Sequence, residues 1–214
     1  MVSAQTLYDL NLPLAQAGIA DILLQSAIQD PEQIAEFCER YAGTYTVWRY
    51  AGHLERTAAP YPTEEGGFGA RVVRAALEIA PGDPHPTFRI RYKPQNTKNE
   101  RGVQGVVLRV GTPGHIYFWG HEETSGYPLI MVARHELHES SQIECLVVRK
   151  HEADRVFTAR VMLVRQKEIG DVDEMPVGMF REEEVADEIA EFAHLMENET
   201  HMAQLVGTKS ALVL

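Results

Sequence analysis

Several things are scarce in this chain, and each absence narrows what it can be. Cys38 and Cys145 are its only cysteines, too few for a disulfide framework or a thiolate metal site. They are expected as buried thiols, one in a helix and one in a strand. No apolar run reaches membrane-spanning length. The N-terminal stretch MVSAQTLYDLNLPLAQAG also has no basic segment followed by a continuous apolar core. The expectation is a cytoplasmic protein that does not enter a membrane. Positive charge is the minority sign, with Lys+Arg 20 against Asp+Glu 31 and a formal net charge of −11, which repels polyphosphate backbones and disfavours nucleic acid as a partner. No long Pro/Gly/Ser-rich linker divides the 214 residues, so one compact domain is expected. Within it we distinguish an N-terminal helical segment (1–42), an antiparallel β-barrel (43–167) and a C-terminal helical segment (168–214).

Catalytic signatures are missing too. There is no G-x-S-x-G, no H-E-x-x-H and no P-loop, and GGFGARVV at 66–73 lacks the preceding strand and third glycine of a dinucleotide fingerprint. No cofactor is expected, and catalytic residues cannot be named. Two histidines in RHELHES, His135 and His138 with Glu139, could meet one metal only if a turn gathered them. Two imidazoles without a clear third ligand make a poor zinc site, so no metal is expected. Asp171 and Asp173 fall in a polar connection, where solvation or capping accounts for them.

What is present is periodic pattern. LPLAQAGIADILLQSAIQ carries Leu14, Ile19, Ile22, Leu23 and Ala27 on one helical stripe. DPEQIAEFCERYAG has Asp30 as N-cap, Pro31 at N1 and Gly43 at its end, with Ile34, Phe37, Cys38 and Tyr41 as the buried face. From Gly43 the period changes to two, giving eight strand candidates: TYTVWRY, VVRAALEIA, TFRIRYK, GVVLRV, HIYFWG, YPLIMVAR, IECLVVRK and VFTARVMLV. Their short connections, such as GTPG and HEETSG, favour antiparallel hairpins. Val72, Val73, Ala76 and Leu77 would also form a helical stripe, but the alternation of Val73, Ala75, Leu77 and Ile79 with Arg74 and Glu78 tips that segment to strand. In RIRYKPQNTKNER, Arg89, Arg91, Lys93, Lys98 and Arg101 face only Glu100. An anion could sit there, though alternation with Phe88, Ile90 and Tyr92 reads better as the wet face of a strand. FREEEVADEIAEFAHLMENETHM places Val185, Ile189, Phe192 and Met196 on one stripe of a C-terminal helix with an acidic opposite face.

The fold expectation is therefore α+β, mainly β: an eight-stranded up-and-down barrel or strongly curved sheet with helical flanks. Gly43, Thr44 and Tyr45, set directly after a helix, resemble the G-x-W sequence at the first strand of lipocalin and other calycin barrels, with Tyr45 in the place of the Trp. The resemblance covers residues 43 to 166 and implies carriage or sensing of a small apolar molecule inside the barrel.

GHIYFWGHEE is the richest stretch. In a strand, His115, Tyr117, Trp119 and His121 share one face and Ile116 and Phe118 the other. The two histidines stand about 20 Å apart and cannot share a metal. Turned inward, Tyr117 and Trp119 would line a pocket for an apolar or aromatic ligand with His115 or His121 supplying a hydrogen bond. Turned outward, they would need cover from the terminal helices or a second subunit. Trp48 in the first strand poses the same question. A small-molecule-binding or sensing barrel is the leading expectation. The alternatives are a regulatory or interaction subunit, possibly a homodimer, that docks a partner through its terminal helices, and a barrel enzyme using His115 or His121 as acid or base.

Overall fold

A computed structural model describes residues 30–50, 71–93, 99–110, 115–134, 142–151, 155–167 and 170–190. The helix expected within 12–29, Lys98, and the group His135, His138 and Glu139 lie outside the described residues, as do Phe192 and Met196.

Helix α1 (Pro31–Tyr41) starts as its sequence dictates. Asp30 accepts a hydrogen bond from the backbone N–H of Glu32 at 3.0 Å, and Pro31 fills the first position, where no N–H is needed. Phe37 and Tyr41 are buried while Ile34 and Cys38 are half-buried, so the expected face is the one that packs. The helix ends with the chain turning at Gly43, whose φ of 143° lies where side chains with a Cβ are strained.

Nine strands follow: β1 (Gly43–Tyr50), β2 (Arg71–Ala80), β3 (Thr87–Tyr92), β4 (Arg101–Val110), β5 (His115–Glu122), β6 (Pro128–Arg134), β7 (Gln142–His151), β8 (Arg155–Arg165) and β9 (Gly178–Arg181). The first eight pair antiparallel with their sequence neighbours where the two are described as paired, and β1 also pairs with β8, so the sheet closes into an eight-stranded barrel. Closure leaves these strands no free edge. The ambiguous segment 71–80 is strand throughout.

Inward positions alternate as the period of two requires. Tyr45, Val47, Leu77, Ile79, Phe88, Ile90, Ile116, Phe118, Met131, Cys145 and Leu163 form one buried cluster, joined by Phe37 and Tyr41 from α1. Gly105 and Gly120 face each other on the inner side of β4 and β5. A Cβ on Gly105 would stand 2.0 Å from the Trp119 carbonyl oxygen, and one on Gly120 would meet the Phe88 ring at 2.7 Å. Only glycine fits this close approach of the two strands and leaves room for Phe88 to lie over them, edge-on to Phe118 at 5.5 Å between centroids.

One expectation changes. Phe180 and Arg181, expected in the C-terminal helix, belong to β9, which pairs with Arg71–Arg74 of β2. The pairing of β2 with β3 runs only over Ala76 to Ala80, so the first residues of β2 have donors and acceptors free on that side, and β9 satisfies them. Helix begins only at residue 186, after a 3-10 turn at Glu182–Glu184. In the basic segment Arg89 and Arg91 alternate with the inward Phe88 and Ile90, as expected of the wet face of a strand, and its described arginines are already engaged. Arg89 reaches Asp173 at 2.9 Å. Arg91 donates to Glu100 and to the backbone carbonyls of Val172 and Met175, pinning residues 172–175 to the barrel. Arg101 lies with the inward face and pairs with Glu122. These groups form a structural clamp in place of an anion site.

Candidate functional site

The two ends of the barrel differ in chemistry. At the helix end, α1 lies across the opening. The Tyr45 hydroxyl donates to the Tyr41 carbonyl at 2.6 Å, and Arg165 donates to the carbonyls of Arg40 and Ala42 at 2.8 and 2.6 Å. These bonds satisfy carbonyls that a helix C-terminus leaves unpaired, and the guanidinium suits the negative end of the dipole. Burial pushes the Tyr45 phenol up to about 12 and holds the imidazole of buried His85 below its usual value. His85 and Arg109 border a cavity of about 10 Å³ beneath Phe37 and Ile34, at the lower limit of the ~10–15 Å³ one water requires. This end is filled. Outside it, an open cleft of about 860 Å³ runs between α1 and the turn at 81–84, with solvent-exposed Glu32, Glu36, Glu39 and Asp83 on its rim.

At the far end a carboxylate points inward. Glu122 is fully buried, one register step inside the β5–β6 turn. Its Oε1 accepts from the Tyr92 hydroxyl at 2.7 Å and from Arg101 Nη1 at 3.0 Å, and its Oε2 accepts from the Ser125 hydroxyl. The turn itself is tied by the Glu122 N–H to the Tyr127 carbonyl at 2.9 Å and by the Gly126 N–H to the Glu122 carbonyl at 2.8 Å, with Gly126 at φ 67°. Tyr92 and Arg101 face each other across β3 and β4, and Tyr92 packs on the inner apolar cluster. Arg101 keeps a quarter of its side chain accessible. A satisfied carboxylate thus holds a phenol and a guanidinium at one edge of an otherwise apolar lining, the combination of greasy wall and few convergent polar groups typical of a small-molecule site.

The residues singled out in the sequence all stand on the outer face. His115, Tyr117, Trp119 and His121 alternate with the inward Ile116, Phe118, Gly120 and Glu122, and Trp48 alternates with Val47. They do not line the interior, and they fall into two separate places. Trp48 is buried with Val72, Met162, Val185 and Ile189. Arg74 stands 5.2 Å above its ring and 3.3 Å from Glu188, and the Tyr50 hydroxyl donates to Glu182 at 2.8 Å. The C-terminal segment therefore covers this aromatic, as the outward alternative requires. On β5, His115 is exposed, Tyr117 and His121 are half-buried, and Trp119 is fully buried.

Glu122, His85 and Arg109 carry no motif in the sequence, and Arg101 and Tyr92 stand out there only as members of the basic segment. One signal was available for Glu122: it shares strand parity with Ile116 and Phe118, so a charge closes an apolar face. Among the described residues, no group of three or more His, Cys, Asp or Glu is placed to hold a metal ion, and no helix is long and apolar enough to cross a membrane.

No protein-family model matches the chain, and no curated protein matches it. Among solved structures it is similar to a redesigned beta barrel, at 13% identity and a TM-score of 0.42, covering 61% of this chain and 95% of that one.

Proposed function

We propose that this barrel binds a small, mainly apolar or aromatic molecule, as a carrier or sensor, with the far end of the barrel as its mouth. The observation that carries the reading is the contrast between the ends. The helix end offers a cavity of about 10 Å³, and the far end sets Tyr92 and Arg101 on a buried Glu122 beside apolar lining. In this reading the ligand's apolar body contacts Ile90, Val103 and Leu129, and its polar group meets Tyr92 and Arg101. Glu122 acts as a positioning residue, since its two oxygens orient Tyr92, Arg101 and Ser125.

The test is native mass spectrometry of gently purified protein, together with fluorescence titration using 1-anilinonaphthalene-8-sulfonate, an apolar probe with one anionic group. The expected result is a retained small molecule or a saturable titration. Arg101→Met should weaken the titration by roughly tenfold or more, the effect of losing a charge-assisted hydrogen bond, with the fold retained by circular dichroism. A ligand-free protein that the probe does not titrate would remove the reading.

A further inference from the structure

Two buried polar atoms on the outside of β5 have no hydrogen-bond partner: the indole Nε1–H of Trp119 and Nδ1 of His121. Native proteins leave few such groups, and an unpaired one costs on the order of 1–3 kcal/mol unless something outside the chain satisfies it. The two residues stand two positions apart on one strand face, so their Cα atoms are about 7 Å apart. The flanking outward residues are apolar except for exposed Gln104, which pairs with His121 from β4. Val106 and Ile130 pair with Trp119 across the neighbouring strands, Leu108 and Val132 lie one step further along, and Pro128 pairs with His121. Trp119, Val106 and Leu108 are buried, whereas Ile130, Val132, Pro128 and His121 are half-buried, so a shielded polar pair has a partly accessible apolar rim.

We infer that Trp119 and His121 bind the hydroxyl group of a small neutral molecule with an apolar body, of the phenol or alkanol class. Indole can only donate, and a neutral imidazole protonated on Nε2 presents Nδ1 as an acceptor. A hydroxyl oxygen takes the indole hydrogen bond while its own hydrogen goes to Nδ1, and both orphans are satisfied by one group. A carboxylate fits badly, because none of the flanking residues is Lys or Arg and desolvating an unpaired anion there is costly. This site is separate from the barrel mouth: Trp119 and His121 face away from the lining that holds Tyr92 and Arg101.

The experiment uses the full chain labelled with ¹⁵N, whose two tryptophans give two indole resonances, assigned with Trp48→Phe. The probes are p-cresol and p-xylene, which match in shape and differ in the hydroxyl. The expected result is that p-cresol shifts the Trp119 indole N–H saturably and binds roughly three- to tenfold more tightly than p-xylene. His121→Phe should abolish that preference, and Arg101→Met should leave it intact. Equal binding of the two probes, or no shift with either, overturns the inference. So does a Trp119 contact with water that persists at saturating p-cresol, which would identify an enclosed water only. Loss of p-cresol binding in Arg101→Met would place the molecule inside the barrel and overturn it as well. The comparison of probes on the unaltered protein stands even where a variant fails to fold.

Discussion

One end of this barrel is sealed by packing and the other is organised by charge. At the helix end Phe37 and Tyr41 enter the same cluster as the strand residues, their rings 4.8 Å apart, and the polar groups there serve to terminate the helix. At the far end Glu122 sits in a fully buried place that an aliphatic residue would fill more cheaply. An ion pair of this kind adds little net stability compared with hydrophobic packing, but it fixes geometry: Tyr92, Arg101 and Ser125 all converge on one carboxylate. The contrast teaches that apolar packing and directed polar geometry can be divided between the two ends of one barrel.

The sharpest way to break the contrast is to open the sealed end. Phe37→Ala should cost roughly 3–5 kcal/mol, the usual loss for truncating a buried phenylalanine, read as a lower urea midpoint. Probe binding at the far end should survive it under conditions where the variant is folded. The next largest effect is expected at the far end itself. Glu122→Ala removes an acceptor shared by a guanidinium and a phenol, and should cost on the order of 3 kcal/mol. That is the low end for breaking a buried pair, because Arg101 keeps a quarter of its side chain in contact with solvent. In contrast to Phe37→Ala, this variant should lose probe binding even where it remains folded. If the two variants affect binding alike, the division of labour between the ends fails.

A smaller effect sharpens the comparison through pH. Burial raises the Tyr45 phenol from near 10 to about 12, so the native state keeps this proton where the unfolded chain loses it. Its contribution is complete below about pH 10 and is lost as pH rises through about 12, an effect of up to ~2–3 kcal/mol. Tyr41 and Cys145 shift in the same direction by burial, so Tyr45→Phe should flatten the alkaline loss only in part. His85 at the same end has its value lowered from 6.5 by burial. Its contribution is present above about pH 6.5 and falls away as pH drops and the unfolded chain takes up a proton first. Urea midpoints between pH 5 and 12 test both limbs, and His85→Gln should remove the part of the acid limb that belongs to this residue.

Much of the scaffold is legible in the sequence. Asp30 and Pro31 mark the start of α1 because an N-cap oxygen and a proline each solve a local problem of unpaired N–H groups. The eight barrel strands were legible because alternation is a local signal, even in 71–80, where a helical stripe competes. Strand β9 was not, since its four residues carry little pattern of their own and pair with β2 only where β3 does not. The candidate site at the far end was hidden for a similar reason. Glu122, Tyr92 and Arg101 come from three strands, and nothing within any one of them announces the meeting.

The sequence alone determined which residues of each strand share a face, because side chains alternate whatever the strand packs against. It could not say which face of β5 turns inward, since Ile116 and Phe118 on one side and Tyr117 and Trp119 on the other are both apolar enough to bury. The tertiary structure decided that. A closed barrel crowds its inner side, and the Gly105–Gly120 pair, which leaves no room for a Cβ, is on the same side as Phe118. On β5 the Tyr117 and Trp119 side went outside and the Ile116 and Phe118 side, with Gly120 and Glu122, went in, because closing a curved sheet is a constraint on many strands at once.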